Sequence, residues 1–293
     1  MAACVQDGER AGDEELKGLS AARTQKARIL SRAFQQDGAR GVLDVLAHKV
    51  KSTWRRGEVW QLGRFVGMPT DIVRVDGCKF SIAADRVPSN VIDLLLSDLY
   101  EEPERKALQK FVDPELPVIE LGACIGIVSC LTNRRLRRPE RHIVVEANPA
   151  LLPLLEDNRA RNGCRFEIVH AAVSYDAATI SFNVDDNILA SSVNGDERHA
   201  VAVGTVTLER LLNKHEFART TLICDIEGAE LQLVEHELKT IGERVATIIM
   251  ELHDRIVGHE RTQRMLAKLE SAGFKIVSRD GDVVVLERYG VVE

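Results

Sequence analysis

Two apolar runs in this chain end in ways that could do chemistry. Val118-Ile-Glu-Leu-Gly-Ala-Cys-Ile-Gly126 closes on a turn bearing Gly122 and Gly126, and His142-Ile-Val-Val-Glu146 closes on a carboxylate. A strand, a glycine turn, a helix and a second strand tipped by an acid form the half-site that holds adenosine-type cofactors in open α/β sheets. The glycine spacing separates cofactor classes, because a pyrophosphate requires G-x-G-x-x-G so that backbone can approach the phosphates. Cys124 stands where the middle glycine would be. The spacing therefore favours a cofactor without pyrophosphate, S-adenosylmethionine, over a nicotinamide dinucleotide. Glu146 would then accept hydrogen bonds from both ribose hydroxyls.

A second group lies further along the chain. Ligands in open α/β sheets sit beyond the carboxyl ends of strands, where Asp225, Glu227, Glu251 and His253 are expected to emerge. Asp225 is the favoured catalytic residue, either orienting a ligand or acting as a general base within hydrogen-bond reach of a proton. His253 is next, since imidazole titrates near neutrality. Asp225 with Glu251 or His253 could instead hold a divalent metal, the less favoured arrangement. Blander roles compete with these. Acids such as Glu227 and Glu230 stabilise the first turn of a helix, and a histidine at a strand end, His253 or His170, commonly serves as a cap or surface residue.

Positioning these groups requires a layered sheet. From Pro117 onward short apolar strands alternate with amphipathic helices, the pattern of a parallel sheet covered on both faces. Strands are expected at Val118–Leu121, Ile143–Glu146, Phe166–His170, Thr221–Asp225 and Thr247–Leu252. Asn148-Pro149 reads as a helix start and Asn162-Gly163 as its stop. Met265, Leu266, Leu269 and Ala272 form a helical stripe ended by Gly273. Two runs around Asp280-Gly281 should then turn antiparallel.

The fold class expected is α/β and Rossmann-like: a mostly parallel, doubly wound sheet ending in an antiparallel hairpin, after an N-terminal helical and hairpin accessory region. Residues 1–20 read as a disordered tail, 21–115 as the accessory region and 116–293 as the cofactor-binding domain. Within the accessory region, Ile29 to Val50 keeps helical spacing, Asp76-Gly77 marks a tight hairpin, and Ser89 could cap a helix through Leu99. A further helix is expected over Glu104–Phe111. Asp185 to His199 is a polar loop.

Composition narrows the setting. The chain has 293 residues, 45% hydrophobic and 29% charged, enough to bury a full core. Its net charge of -6 argues against nucleic acid as the main partner. The basic run Arg134 to Arg138, with Arg141, reads as a helix C-terminus. Six cysteines are scattered without C-x-x-C pairs, and no apolar run reaches the ~18 residues of a membrane span. With no signal-like N-terminus, the cytoplasm is the expected compartment. The expected partner is a small molecule rather than nucleic acid or membrane, with oligomerisation open.

Several blocks together carry a family resemblance: Tyr100-Glu101, Val118 to Gly126, Val145-Glu-Ala-Asn-Pro149, His170-Ala-Ala-Val-Ser174, Val206-Thr-Leu208, Asp225-Ile-Glu-Gly-Ala-Glu230 and Met250-Glu-Leu-His253. Over roughly residues 98 to 290 the chain resembles the FkbM-type methyltransferases, a branch of the class I S-adenosylmethionine-dependent enzymes. The resemblance implies methyl transfer, with O-methylation of a sugar, polyketide or other small metabolite. It implies that Glu120, Gly122, Ala123, Cys124 and Gly126 hold the methionine part. It likewise gives Glu146, with Ala147 beside it, the ribose, and sets Ala171 at the adenine. The chain departs from the family at Ile223, where members commonly carry Lys, and at Glu209, where Asp is common. Two rivals stand beside this reading: an inactive cofactor-binding protein of the same fold, and a nicotinamide-dependent oxidoreductase.

Overall fold

A computed structural model describes residues 72–82, 87, 91–92, 94–95, 98–183 and 200–289. The expected tail at 1–20, the helical segment from Ile29 to Val50, the Ser89 cap and the polar loop from Asp185 to His199 lie outside the described residues. The chain divides into two compact units, Met1–Val73 with Ile82–Tyr100, and Arg74–Ser81 with Glu101–Glu293. In the first, Val87, Val91, Ile92 and Leu95 are buried.

Strands β1 (Ile72–Val75) and β2 (Cys78–Ser81) pair across Asp76-Gly77. Both turn residues take positive φ, 47° and 85°. Such a turn matches the twist of a two-residue hairpin, which is why Asp-Gly announces it.

The main sheet has seven strands: β3 (Val118–Leu121), β4 (His142–Glu146), β5 (Glu167–His170), β9 (Thr220–Cys224), β10 (Val245–Glu251), β11 (Phe274–Asp280) and β12 (Val283–Arg288). A smaller sheet contains β6 (Ala172–Val173), β7 (Thr179–Asn183) and β8 (Ala200–Val206). The order of the main sheet is β11-β12-β10-β9-β3-β4-β5, parallel from β10 to β5 and antiparallel where β12 meets β10 and β11. Strand order reverses between β3 and β9, the switch point where ligands settle in open α/β sheets. The dinucleotide fold continues with a sixth strand in the order 3-2-1-4-5-6. Here the neighbour of β10 is the chain's last strand, running the other way, as the Asp280-Gly281 pattern anticipates.

Both faces of the sheet are covered, so its strands read as continuous apolar runs. Ile119, Leu121, Leu222, Cys224, Ile248 and Met250 point into one apolar layer with residues of the helices Leu208–Lys214, Glu230–Arg244 and His259–Ser271. Val118, Ile223, Ile249 and Val285 point into the other, against Ala107 and Leu108 of the helix Glu102–Phe111 and Val128 of the helix Ile127–Arg135. Truncating one of these, such as Leu222→Ala, costs roughly 2–5 kcal/mol.

Several boundaries differ from expectation by one or two residues, and one differs by more. The helix after β4 begins at Leu152, not at Asn148-Pro149. The Asn148 side chain accepts from the Ala150 N–H at 3.0 Å, forming a local turn, and Pro153 takes the first-turn position that Pro149 was expected to fill. Asn162 does cap its end. The basic run falls at the end of the helix Ile127–Arg135, where Arg134 donates to the Gly77 carbonyl and Arg135 to that of Gln109. Among the described residues no helix is long and apolar enough to cross a membrane, and Cys78, Cys124, Cys130, Cys164 and Cys224 are free thiols.

Candidate functional site

At the carboxyl end of β3 the chain turns through Gly122 to Gly126 before entering the helix Ile127–Arg135. Gly122 has φ 84°, and a Cβ built there would lie 1.7 Å from the Asp225 backbone oxygen. Gly126, also at φ 84°, would meet the Leu155 side chain at 2.5 Å. The sequence suggested that these glycines admit a ligand. The structure gives them another duty: one lets the turn press against the end of β9, the other lets the helix pack on its neighbour. Cys124, between them, holds φ 49° without being glycine, a conformation L residues rarely adopt outside functional turns.

Glu146 organises this turn. One carboxylate oxygen accepts from the Ala123 N–H at 3.1 Å and the Cys124 N–H at 2.7 Å, and the other from the Asn148 N–H at 2.7 Å. The side chain is buried, and burial pushes its pKa above the ordinary carboxylate range despite these donors. Two oxygens offer about four acceptor positions. Three are taken by these backbone N–H groups, which fix the carboxylate at the strand tip and leave room for a ligand hydroxyl. Ala147, half-buried, packs against Ala172, Phe182 and Val203, and Ala171 is buried with its N–H on the Glu146 carbonyl. A carboxylate with spare capacity at the strand tip, beside an apolar wall, fits the nucleoside of S-adenosylmethionine.

Glu120 does not join this set. Its side chain is 0% exposed and its oxygens are engaged by Ser129 Oγ at 2.5 Å and His142 Nε2 at 3.1 Å. Alternation along β3 turns it under the helix Ile127–Arg135, away from the strand tip. The expectation that its carboxylate holds the methionine part is therefore corrected. Ile223, the position of the family lysine, is paired in register with Glu120 on β3 and belongs to the core. His142 and Ser129 serve that acid in this chain.

Beyond β9 and β10 the carboxylates gather as expected, with one addition. His253 Nε2 lies 3.4 Å from Asp225 Oδ1 and 3.5 Å from Glu227 Oε2, and Nδ1 lies 3.1 Å from Glu230 Oε1. Burial alone would lower the imidazole, but Glu230, Asp225 and Glu227 outweigh it and hold His253 at about 9. Asp225 is raised well above its usual range by burial and by Glu251, an effect His253 only partly offsets. Glu227 is raised by burial too. Glu230, assigned a helix-start role from sequence, does accept the Ile226 N–H at 2.9 Å while also facing His253. The other candidate histidine, His170, is exposed with Nε2 3.2 Å from the Ala147 carbonyl, as the blander reading expects.

The addition is Glu104, buried on the helix Glu102–Phe111 and pushed to about 7 by burial and by Glu251 beside it. Sequence carried a signal for it. Glu104, Ala107, Leu108 and Phe111 follow helical spacing, so an acid heads an apolar stripe.

Comparison with known proteins gives a family. A family model described as the methyltransferase FkbM domain matches residues 120–276. No curated protein matches the chain. Among solved structures it is similar to methyltransferase FkbM from Methylobacillus flagellatus KT, with 14% identity, 70% of this chain and 56% of that chain covered, and a TM-score of 0.42. It is similar to precorrin-6y C5,15-methyltransferase from Geobacter metallireducens GS-15, at 12% identity over 72% of this chain and 93% of that chain, with a TM-score of 0.41. M. jannaschii TYW2 in complex with AdoMet gives 14% identity over 74% of this chain and 85% of that chain, with a TM-score of 0.39.

Proposed function

Since the chain belongs to the FkbM methyltransferase domain family, we propose that it is an S-adenosylmethionine-dependent methyltransferase acting on a hydroxyl of a small molecule such as a sugar or polyketide. The observation that carries this reading is the meeting of the Gly122 turn with Asp225 at the point where strand order reverses. A cofactor half-site and a cluster of acids thereby face one crevice.

When bound, S-adenosylmethionine supplies a methyl group already activated by a sulfonium, so the protein's task is alignment and exclusion of water. Glu146 accepts a ribose hydroxyl, with Ala147 and Ala171 as the apolar wall. Backbone from Gly122 through Ala123 and Cys124 to Gly126 receives the amino-acid portion. Asp225 orients the acceptor hydroxyl and takes its proton, its pKa raised above the ordinary carboxylate range by burial and by Glu251, which makes it a stronger base than a free carboxylate. His253, held as imidazolium among carboxylates, keeps Asp225 in place. The scattered cysteines accord with a cytoplasmic setting.

Titrating the purified protein with S-adenosylmethionine, S-adenosylhomocysteine and NAD in a calorimeter tests the cofactor half. Heat from the first two and none from the third is expected, and silence from the first two would end the reading. Release of S-adenosylhomocysteine across a panel of hydroxylated sugars and polyketides tests the second half. Binding with no turnover on any acceptor would favour the inactive cofactor-binding protein, in keeping with Ile223 at the family lysine position.

A further inference from the structure

We propose that Asp225, Glu251 and His253 bind a divalent metal ion of the Mn2+ or Mg2+ class at the carboxyl ends of β9 and β10. One ligand atom from each residue lies within 4.8 Å of the others. Donors held about 2.1 Å from a single ion sit roughly 3–4 Å apart, so closing on a cation needs side-chain movement of about 1 Å or less.

Clustered acids alone would prove little. The imidazole adds a donor of another kind: its side chain is only 10% exposed, and Glu230 Oε1, 3.1 Å from Nδ1, holds the ring with Nε2 toward Asp225. The independent sign is Asp225 Oδ1, the atom that His253 Nε2 faces, which is shielded from solvent and without a hydrogen bond. A shielded carboxylate oxygen left without a hydrogen bond is costly, and a cation between it and Nε2 satisfies it.

Charge points the same way. Asp225, Glu227, Glu230 and Glu251 crowd one imidazole, and among the described residues no Lys or Arg forms an ion pair with any of the four. Two carboxylates and one imidazole suit Mn2+ well, between the all-oxygen preference of Mg2+ and the nitrogen preference of Zn2+. The side facing the crevice is left to water or to an acceptor oxygen, whose proton a cation would loosen. In that last role the inference rests on the methyltransferase reading. Cation binding itself does not.

The test is Mn2+ binding to the full chain, followed by calorimetry and by loss of the free-ion paramagnetic signal, with and without S-adenosylmethionine. One Mn2+ per chain is expected, weakened at least tenfold in Asp225→Asn and in Glu251→Gln and unchanged in Glu260→Gln, an exposed acid paired with Arg264. If Asp225→Asn fails to fold, Glu251→Gln carries the comparison alone. No saturable binding of Mn2+, Mg2+ or Zn2+, or equal binding by wild type and both near-isosteric variants, overturns the proposal. Cation binding without affinity for S-adenosylmethionine leaves it standing and removes the methyltransferase reading, and the converse removes only the cation.

Discussion

The tips of β3 and β4 and the tips of β9 and β10 lie at the same edge of the parallel sheet but are built on opposite principles. At the first pair every acid is served: Glu146 receives three backbone N–H groups and Glu120 receives Ser129 and His142. At the second pair, acids accumulate around a single imidazole and Asp225 Oδ1 goes without a hydrogen bond. Satisfied groups hold a shape, whereas crowded like charges hold a potential that something else must relieve. One half of the crevice is thus finished as a scaffold, and the other is left wanting a proton, a cation or a substrate.

Substitution should break this contrast in a graded way. The largest loss belongs to Gly122→Ala, whose Cβ would collide with the Asp225 backbone oxygen while holding positive φ. We expect a loss of about 3–5 kcal/mol in urea unfolding, or failure to fold, by clash and backbone strain together. A loss below about 1 kcal/mol would show that the scaffold half yields more easily than its packing suggests.

Next comes Glu146→Ala, expected to weaken S-adenosylmethionine binding by about 1–3 kcal/mol in calorimetry, as a buried acceptor is lost. Unchanged affinity would remove Glu146 from the cofactor site. The same residue sharpens the comparison through pH. Its folded-state pKa is raised above the ordinary 4.5 by burial, so the stability it contributes is complete below that value and is lost as pH rises through its folded-state range. In unfolding experiments from pH 4 upward, wild type should lose stability relative to Glu146→Gln, and parallel curves would mean that the three donors cancel the effect of burial.

The smallest effect is expected on the crowded side. Asp225→Asn removes one like charge, and unfolding measured in chelator should show a gain of about 0.5 kcal/mol, small because a third of the side chain meets solvent and is screened. A loss of 2 kcal/mol or more would show that Asp225 is structurally paired and would erase the contrast.

Much of this architecture was legible in the residues. Alternating apolar runs gave the parallel sheet because strands buried on both faces have no other way to be written, and Asp280-Gly281 marked the closing hairpin. Long-range pairing was not legible. Nothing local says that Glu120 turns inward to His142 and Ser129, because the side chosen depends on which residue of a four-residue strand faces the helix above it. Asn148-Pro149 looked like a helix start because Pro153, four residues later, competes for the same role. The cluster beyond β9 and β10 was foreseen in its members, yet Glu104 escaped notice because it comes from a helix that precedes the sheet in sequence.

The contact between Gly122 and Asp225 has a consequence for how such a protein can change. Asp225 also donates its backbone N–H to the Leu121 carbonyl at 2.9 Å, so the two halves of the crevice are riveted through main chain rather than through exchangeable side chains. Shifting either half drags the other with it, and a new acceptor could not be accommodated by moving them apart. Diversification of substrate would have to come from the periphery, leaving this joint as the fixed datum against which every variant is aligned.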